Sequence, residues 1–260
     1  MLKPFYRLVI ELTNGKWSSI ILSKFARSKL SRFMVPAFAK AYKININEME
    51  ESIDHYSTLH DFFIRKLKNE ARPIHQEDEA ILSPVDAVIE DVGKIQPNSI
   101  IEVKGKQYSI SEMLGSLEKA KQYSDGTYMI FYLSPSHYHR IHSPVTGKVT
   151  DQWVLGAKSY PVNKLGLKYG RDTLSKNYRS ITEINVSGHP IAMVKVGAMF
   201  VNSIELTHEN ERLTKGNEMA YFTFGSTVIL LLPKDHFTLL PTIQTPFHIK
   251  VGEKIGELHL

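Results

Sequence analysis

A chain of 260 residues with 42% hydrophobic and 23% charged side chains is long enough to bury a full core and too apolar to be disordered. It contains no cysteine, which excludes disulfides, thiolate catalysis and zinc-thiolate sites. Its net charge of +5 is unevenly placed: residues 1–43 hold nine Lys or Arg against Glu11 alone, so this segment is +8 and the remainder −3.

Among those first residues Phe5, Leu8, Trp17, Ile20, Phe25, Leu30, Phe33, Phe38 and Tyr42 recur at spacings that set an apolar face opposite a basic one. Two readings fit: a helix lying on an anionic membrane surface, or a surface helix packed on its own domain. A nucleic-acid partner is not expected, because no recognisable binding module accompanies the basic stretch. No apolar run approaches the roughly 18 residues of a membrane-crossing helix, and no signal-peptide core is present, so the default compartment is cytoplasmic. Tyr56, Leu59, Phe62, Phe63 and Leu67 predict a further helix capped by Ser57 or Thr58, and Arg72-Pro73 ends the helical part. Residues 1–68 therefore read as an α-helical appendage.

From residue 81 onward the pattern is one of strands: 87–95, 100–108, 128–133, 147–154, 181–186, 191–201, 218–232 and 247–260. Lys104-Gly105, Asp125-Gly126, Ser187-Gly188 and Lys215-Gly216 supply turns, and one helix is expected over 110–121, introduced by Ser109 or Ser111. The fold class is α+β, predominantly antiparallel β. Ser83-Pro84-Val85-Asp86-Ala87-Val88-Ile89 resembles Ser143-Pro144-Val145-Thr146-Gly147-Lys148-Val149, and residues 213–219 echo 249–255 in the rhythm of biotinyl- and lipoyl-type β-sandwiches. Two half-repeats folding on each other are expected.

Three features bear on chemistry. Asp86 follows a Pro turn and by itself reads as a turn residue. The cluster His137-Tyr138-His139-Arg140-Ile141-His142 holds the side chains best suited to take a serine proton near neutral pH. His137 and His139 would share a strand face, but no nearby Asp, Glu or Cys completes a ligand set and Arg140 repels a cation, so no metal is expected. The run from Met219 to Leu232 is broken by Gly225-Ser226-Thr227, three small residues where packing favours bulk. The break is either a bulge bringing two backbones together, or the place where a serine attacks the carbonyl of its own preceding glycine.

Taken in order, Ser83-Pro84-Val85-Asp86, Tyr138-His139-Arg140-Ile141-His142-Ser143-Pro144, Val196-Gly197-Ala198 with Ser203-Ile204, and Lys215-Gly216-Asn217-Glu218-Met219 leading to Phe224-Gly225-Ser226-Thr227 resemble the phosphatidylserine decarboxylase family of bacterial type. The resemblance runs from about residue 81 to 234, and the basic N-terminus is similar to the family's membrane-associating region. It implies a self-processing enzyme. His142 would take the proton of Ser226, Asp86 would orient His142, and Oγ would attack Gly225, leaving chains 1–225 and 226–260 with a pyruvoyl group at position 226. That group would form a Schiff base with the substrate amine and replace pyridoxal phosphate (PLP) as electron sink. His139 would return a proton to the substrate after CO2 leaves. The resemblance also implies phosphatidylserine as substrate, peripheral attachment to the cytoplasmic face of the cell membrane, and a homodimer of the cleaved pair. A decarboxylase of a soluble amino acid and a non-catalytic lipid-binding module are the alternatives. Members often carry Gly where this chain has Asn202 and Ala220. The segments 158–163 and 177–179 also depart from the common pattern, which makes head-group recognition the least transferable property.

Overall fold

The computed structural model describes residues 21, 23–158, 160, 162, 172–198, 204–208, 211–223 and 226–259. The amphipathic pattern of residues 1–20 lies outside them. The helical part comprises 3-10 turns, α1 (Val35–Ala41) and α2 (Leu59–Phe63) around a small core of Val35, Ala39, Ile44, Met49, Tyr56, Leu59 and Phe62. Thr58 caps α2, its Oγ1 accepting from Asp61 N at 3.0 Å. The helix stops at Phe63 instead of running on to Leu67. Leu67 bridges to Met49, and Arg65 turns inward to the carbonyls of Ser136 and His137.

The chain then forms β1 (Ala80–Leu82), β2 (Ala87–Lys94) and the hairpin β3 (Ile100–Val103) with β4 (Lys106–Ser109). Where one helix is expected there are two, α3 (Ile110–Leu114) and α4 (Leu117–Lys121), because Gly115 takes a left-handed φ of 72° against the Leu155 side chain. Next come β5 (Thr127–Leu133), β6 (Arg140–His142), β7 (Gly147–Leu155), α5 (Thr173–Lys176), β8 (Arg179–Val186) and β9 (His189–Gly197). The remaining strands are β10 (Ile204–Leu206), β11 (Arg212–Leu213), β12 (Glu218–Phe222), β13 (Ser226–Leu232), β14 (Phe237–Leu239), β15 (Phe247–Ile249) and β16 (Lys254–Leu258). The run over 218–232, which the sequence breaks at Gly225, is two strands, β12 and β13.

Eight strands form one antiparallel sheet in the order β11-β7-β8-β9-β13-β5-β2-β15, while β1-β16-β14 and β10-β12-β6 form two smaller sheets. The larger core lies between the big sheet (Phe131, Met193, Val228, Leu230) and the small ones (Ile81, Ile141, Ala220, Phe222, Ile255). The hairpin and α3 to α5 cover the other face through Tyr108, Met113, Leu174, Ile229 and Leu231.

The order of the big sheet is two-fold about the β9–β13 pair, and the two Ser-Pro-Val segments make matching bonds. Leu82 N donates to Pro144 O at 3.0 Å and His142 N to Pro84 O at 2.8 Å. Ser83 Oγ and Ser143 Oγ each donate to the carbonyl two residues on, at 2.7 Å. Asp86 Oδ1 accepts from Val251 N, and its counterpart Thr146 Oγ1 accepts from Lys215 N. The facing turns need glycine for two reasons. Gly216 and Gly252 have φ of 82° and 85°, and a Cβ on either would lie 2.7 Å from Ile74.

Candidate active site

Ser226 opens β13, opposite Gly197 of β9 on one side and Leu133 of β5 on the other. Since β12 belongs to a small sheet and β13 to the large one, the interruption read from the sequence is the crossing between sheets. Phe224 and Gly225 themselves lie outside the described residues. A second crossing runs alongside, from Leu133 opposite Ser226 to His139, whose carbonyl accepts from Phe222 N at 2.9 Å. Ser226 is fully buried, and among the described residues its Oγ has no hydrogen-bond partner. An orphaned buried hydroxyl costs about 1–3 kcal/mol, which a fold does not maintain without cause.

His139 is also fully buried. Its ring lies 3.9 Å from that of Phe63 in α2, and Nδ1 sits 2.9 Å from His137 O. A carbonyl only accepts, so Nδ1 carries the proton and Nε2, which has no partner among the described residues, is a bare lone pair. Burial, followed by the Arg65 charge, pushes His139 well below the usual imidazole range. Ile141, two residues on, belongs to the core that Val228 enters from β13, so the extended chain turns His139 toward the same inter-sheet space as Ser226.

His142 is held differently. Nδ1 lies 2.7 Å from Gly216 O, which fixes the same tautomer, and Nε2 lies 3.2 Å from the Tyr138 hydroxyl. Burial lowers its pKa and also that of His137, whose Nδ1 accepts from Ser134 N at 3.0 Å. The orienting group on the His142 ring is therefore the Gly216 carbonyl.

Asp86 is occupied by Arg72. Nε donates to both carboxylate oxygens, at 2.8 and 3.1 Å, and Nη2 also bonds Oδ2. Nη2 continues to Glu48 at 3.0 Å. The two-fold counterpart isolates what the charge adds: at position 146 a neutral threonine makes the same backbone bond, so the carboxylate at 86 is there for its guanidinium and its field. After burial, which lowers the His142 pKa, and behind the Gly216 bond and the Glu218 charge, that field offsets a part of the lowering, and the Asp86 segment touches His142 through Pro84 O.

Nothing local in the sequence marks Arg72 and Arg65 as site residues. Arg72 read as a helix end before Pro73, and the only hint of more was an Arg near a lone Asp. The departing segment 177–179 serves the frame. Asn177 bonds Tyr160 at both its backbone N and O and donates to Gly197 O at 2.8 Å, behind Ser226. Arg179 donates to Met113 O, Glu112 O and Asn177 O. Arg72→Ala strands the buried Asp86 charge, so a loss of about 3–5 kcal/mol in urea unfolding is expected. Asp86→Asn in the same chain should recover part of it; no recovery would mean that Arg72 acts through packing alone.

The family model described as phosphatidylserine decarboxylase matches residues 59–257. A phosphatidylserine decarboxylase proenzyme of Geobacillus sp. (strain WCH70) is 60% identical over 99% of this chain and 100% of its own. That of Geobacillus kaustophilus is 57% identical over 98% and 97%, and that of Bacillus thuringiensis 54% over 98% of each.

Proposed function

Because the chain belongs to the phosphatidylserine decarboxylase family, we propose that its own residues make the group with which it converts phosphatidylserine to phosphatidylethanolamine and CO2. The observation that carries this reading is the orphaned hydroxyl of Ser226 at the crossing from β12 to β13.

His142 exposes Nε2 as a base once the Tyr138 hydroxyl yields its place, with Nδ1–H anchored on Gly216. It takes the Ser226 proton, and Oγ attacks the Gly225 carbonyl, turning the peptide bond into an ester. Attack within one chain benefits from high effective molarity. Elimination and hydrolysis then release ammonia and leave a pyruvoyl group at residue 226. A pyruvoyl group supplies an electrophilic carbonyl and an electron sink for decarboxylation. Cutting does not free the short chain 226–260: β13 stays paired with β9 and β5, β15 with β2, and β16 with β1.

The burial of His139 suits a proton carrier that starts neutral. The substrate arrives as an ammonium, which must lose a proton before its nitrogen attacks a carbonyl. His139 Nε2 takes that proton and returns it to the α carbon after CO2 leaves.

Peripheral membrane binding is supported by the helical part. Ile21, Leu30 and Phe33 are exposed at 67%, 73% and 74%, beside exposed Lys24, Arg27, Lys29, Arg32, Lys40 and Lys43. Among the described residues no helix is long and apolar enough to cross a membrane. The test is CO2 release from phosphatidylserine vesicles compared with free serine. Release from vesicles is expected; turnover of free serine alone would favour a soluble-substrate relative.

A further inference from the structure

Lysine is rarely enclosed within a sheet, yet Lys195 of β9 is fully buried. On its face lie Met193 and Ile191, and Val228 is directly opposite on β13. Among the described residues its Nζ meets one polar group, the Thr182 hydroxyl at 2.5 Å. A cation kept for structure is paired with an anion, but among the described residues no carboxylate pairs with Lys195, and burial alone draws its ammonium down to about 7. A large share of this amine is therefore neutral and nucleophilic at neutral pH.

Its position relates it to the cleavage residue. Val228 pairs with Lys195 and Ser226 with Gly197, so Lys195 and Ser226 project from the same face, one strand over and two positions along. Such diagonal neighbours are about 7–8 Å apart, closer between their Cβ atoms, within the span of lysine's four-carbon stem. Turning from Thr182 toward position 226 requires only side-chain rotation, since both strands stay in register.

We propose that Lys195 Nζ condenses with the pyruvoyl ketone at position 226, so that the resting enzyme holds its electrophile as an internal imine between its two chains. The step rests on the self-processing reading above. The amine adds to the ketone carbon, a C=N bond replaces C=O, and the ketone oxygen leaves with both amine protons as one water. The substrate amine then displaces Lys195 by exchange at the same carbon, and neutral Lys195 returns to Thr182. Until lipid arrives, the imine keeps the ketone from hydration and from adventitious amines.

The test reads a covalent bond and does not depend on turnover. Processed wild-type protein, purified without lipid, is treated with sodium cyanoborohydride at neutral pH, denatured and weighed. The expected result is one species containing both chains, formed only after the reductant, with peptide mapping placing the link between Lys195 and residue 226. Lys195→Met, if it processes, should remain two chains under the same treatment. Both proteins should gain a lipid-amine adduct on the short chain when phosphatidylserine vesicles are added with the reductant. Wild-type chains that stay separate, while vesicles plus reductant label the short chain, overturn the imine and leave the pyruvoyl reading standing. A wild type that is uncut before the reductant overturns the self-processing reading and the imine with it. Should Lys195→Met fail to fold, the mapped wild-type link decides by itself.

Discussion

Ser226→Ala is expected to remain one chain of 260 residues, where the wild type separates into residues 1–225 and 226–260. Intact mass after denaturation reads this directly, and the wild-type short chain should begin with a pyruvoyl group that resists amino-terminal sequencing. The effect is all or none, because alanine carries no nucleophile at the position that adjoins the Gly225 carbonyl. The usual objection to such a variant, that it fails to fold, is answered by the burial at this position. Ser226 Oγ is enclosed without a partner among the described residues, so its removal takes away an unsatisfied group and makes no large cavity. Measured against the precursor that is still uncut, stability in urea should be unchanged or raised by about 1–3 kcal/mol, the cost of the orphaned hydroxyl. A folded, uncut variant beside a cut wild type locates the chemistry at Ser226. A cut Ser226→Ala chain would place it elsewhere.

How much of this was legible in the sequence depended on how far apart the cooperating residues lie. Ser187-Gly188 marks its hairpin because two adjacent residues at positive φ suffice for the turn. The repeated Ser-Pro-Val segments marked the two-fold pattern, since each carries its local bonds with it. The crossing between β12 and β13 is not legible as a change of sheet, because both read as apolar and one run of hydrophobic residues does not say which sheet it joins. The histidine cluster carries a strand face in the sequence but not its bounds: Arg140, Ile141 and His142 make β6 through their partners on β12. The pairing of Asp86 with Arg72 crosses a proline and a change from helix to sheet, and no local pattern signals it. Lys195 sits in a run of Val and Ile where a charge would ordinarily face water. Its burial follows from β9 lying inside the large sheet, which alternation along one strand does not reveal.

The two histidines three residues apart should separate by substitution. His142→Ala is expected to stay uncut. His139→Ala is expected to cut but to decarboxylate at least about 10²-fold more slowly, the usual value of a positioned proton carrier. Cleavage is read by mass, and decarboxylation by CO2 release per pyruvoyl group. The assignment has a consequence for pH. Burial holds His139 well below its ordinary 6.5, so the neutral form that accepts the substrate proton persists as the pH falls past that value. The acid limb of kcat/KM should therefore lie below pH 6.5. Stability follows the same sign: the contribution of a neutral buried His139 is complete above 6.5 and is lost as the pH falls through its lowered value, because the unfolded chain binds the proton first. The reverse pattern, His139→Ala uncut and His142→Ala cut, would exchange the roles. The unpartnered Nε2 of His139, turned toward the space that Ser226 faces, would then be the base for cleavage. His142, anchored between Gly216 and Tyr138, would serve the lipid.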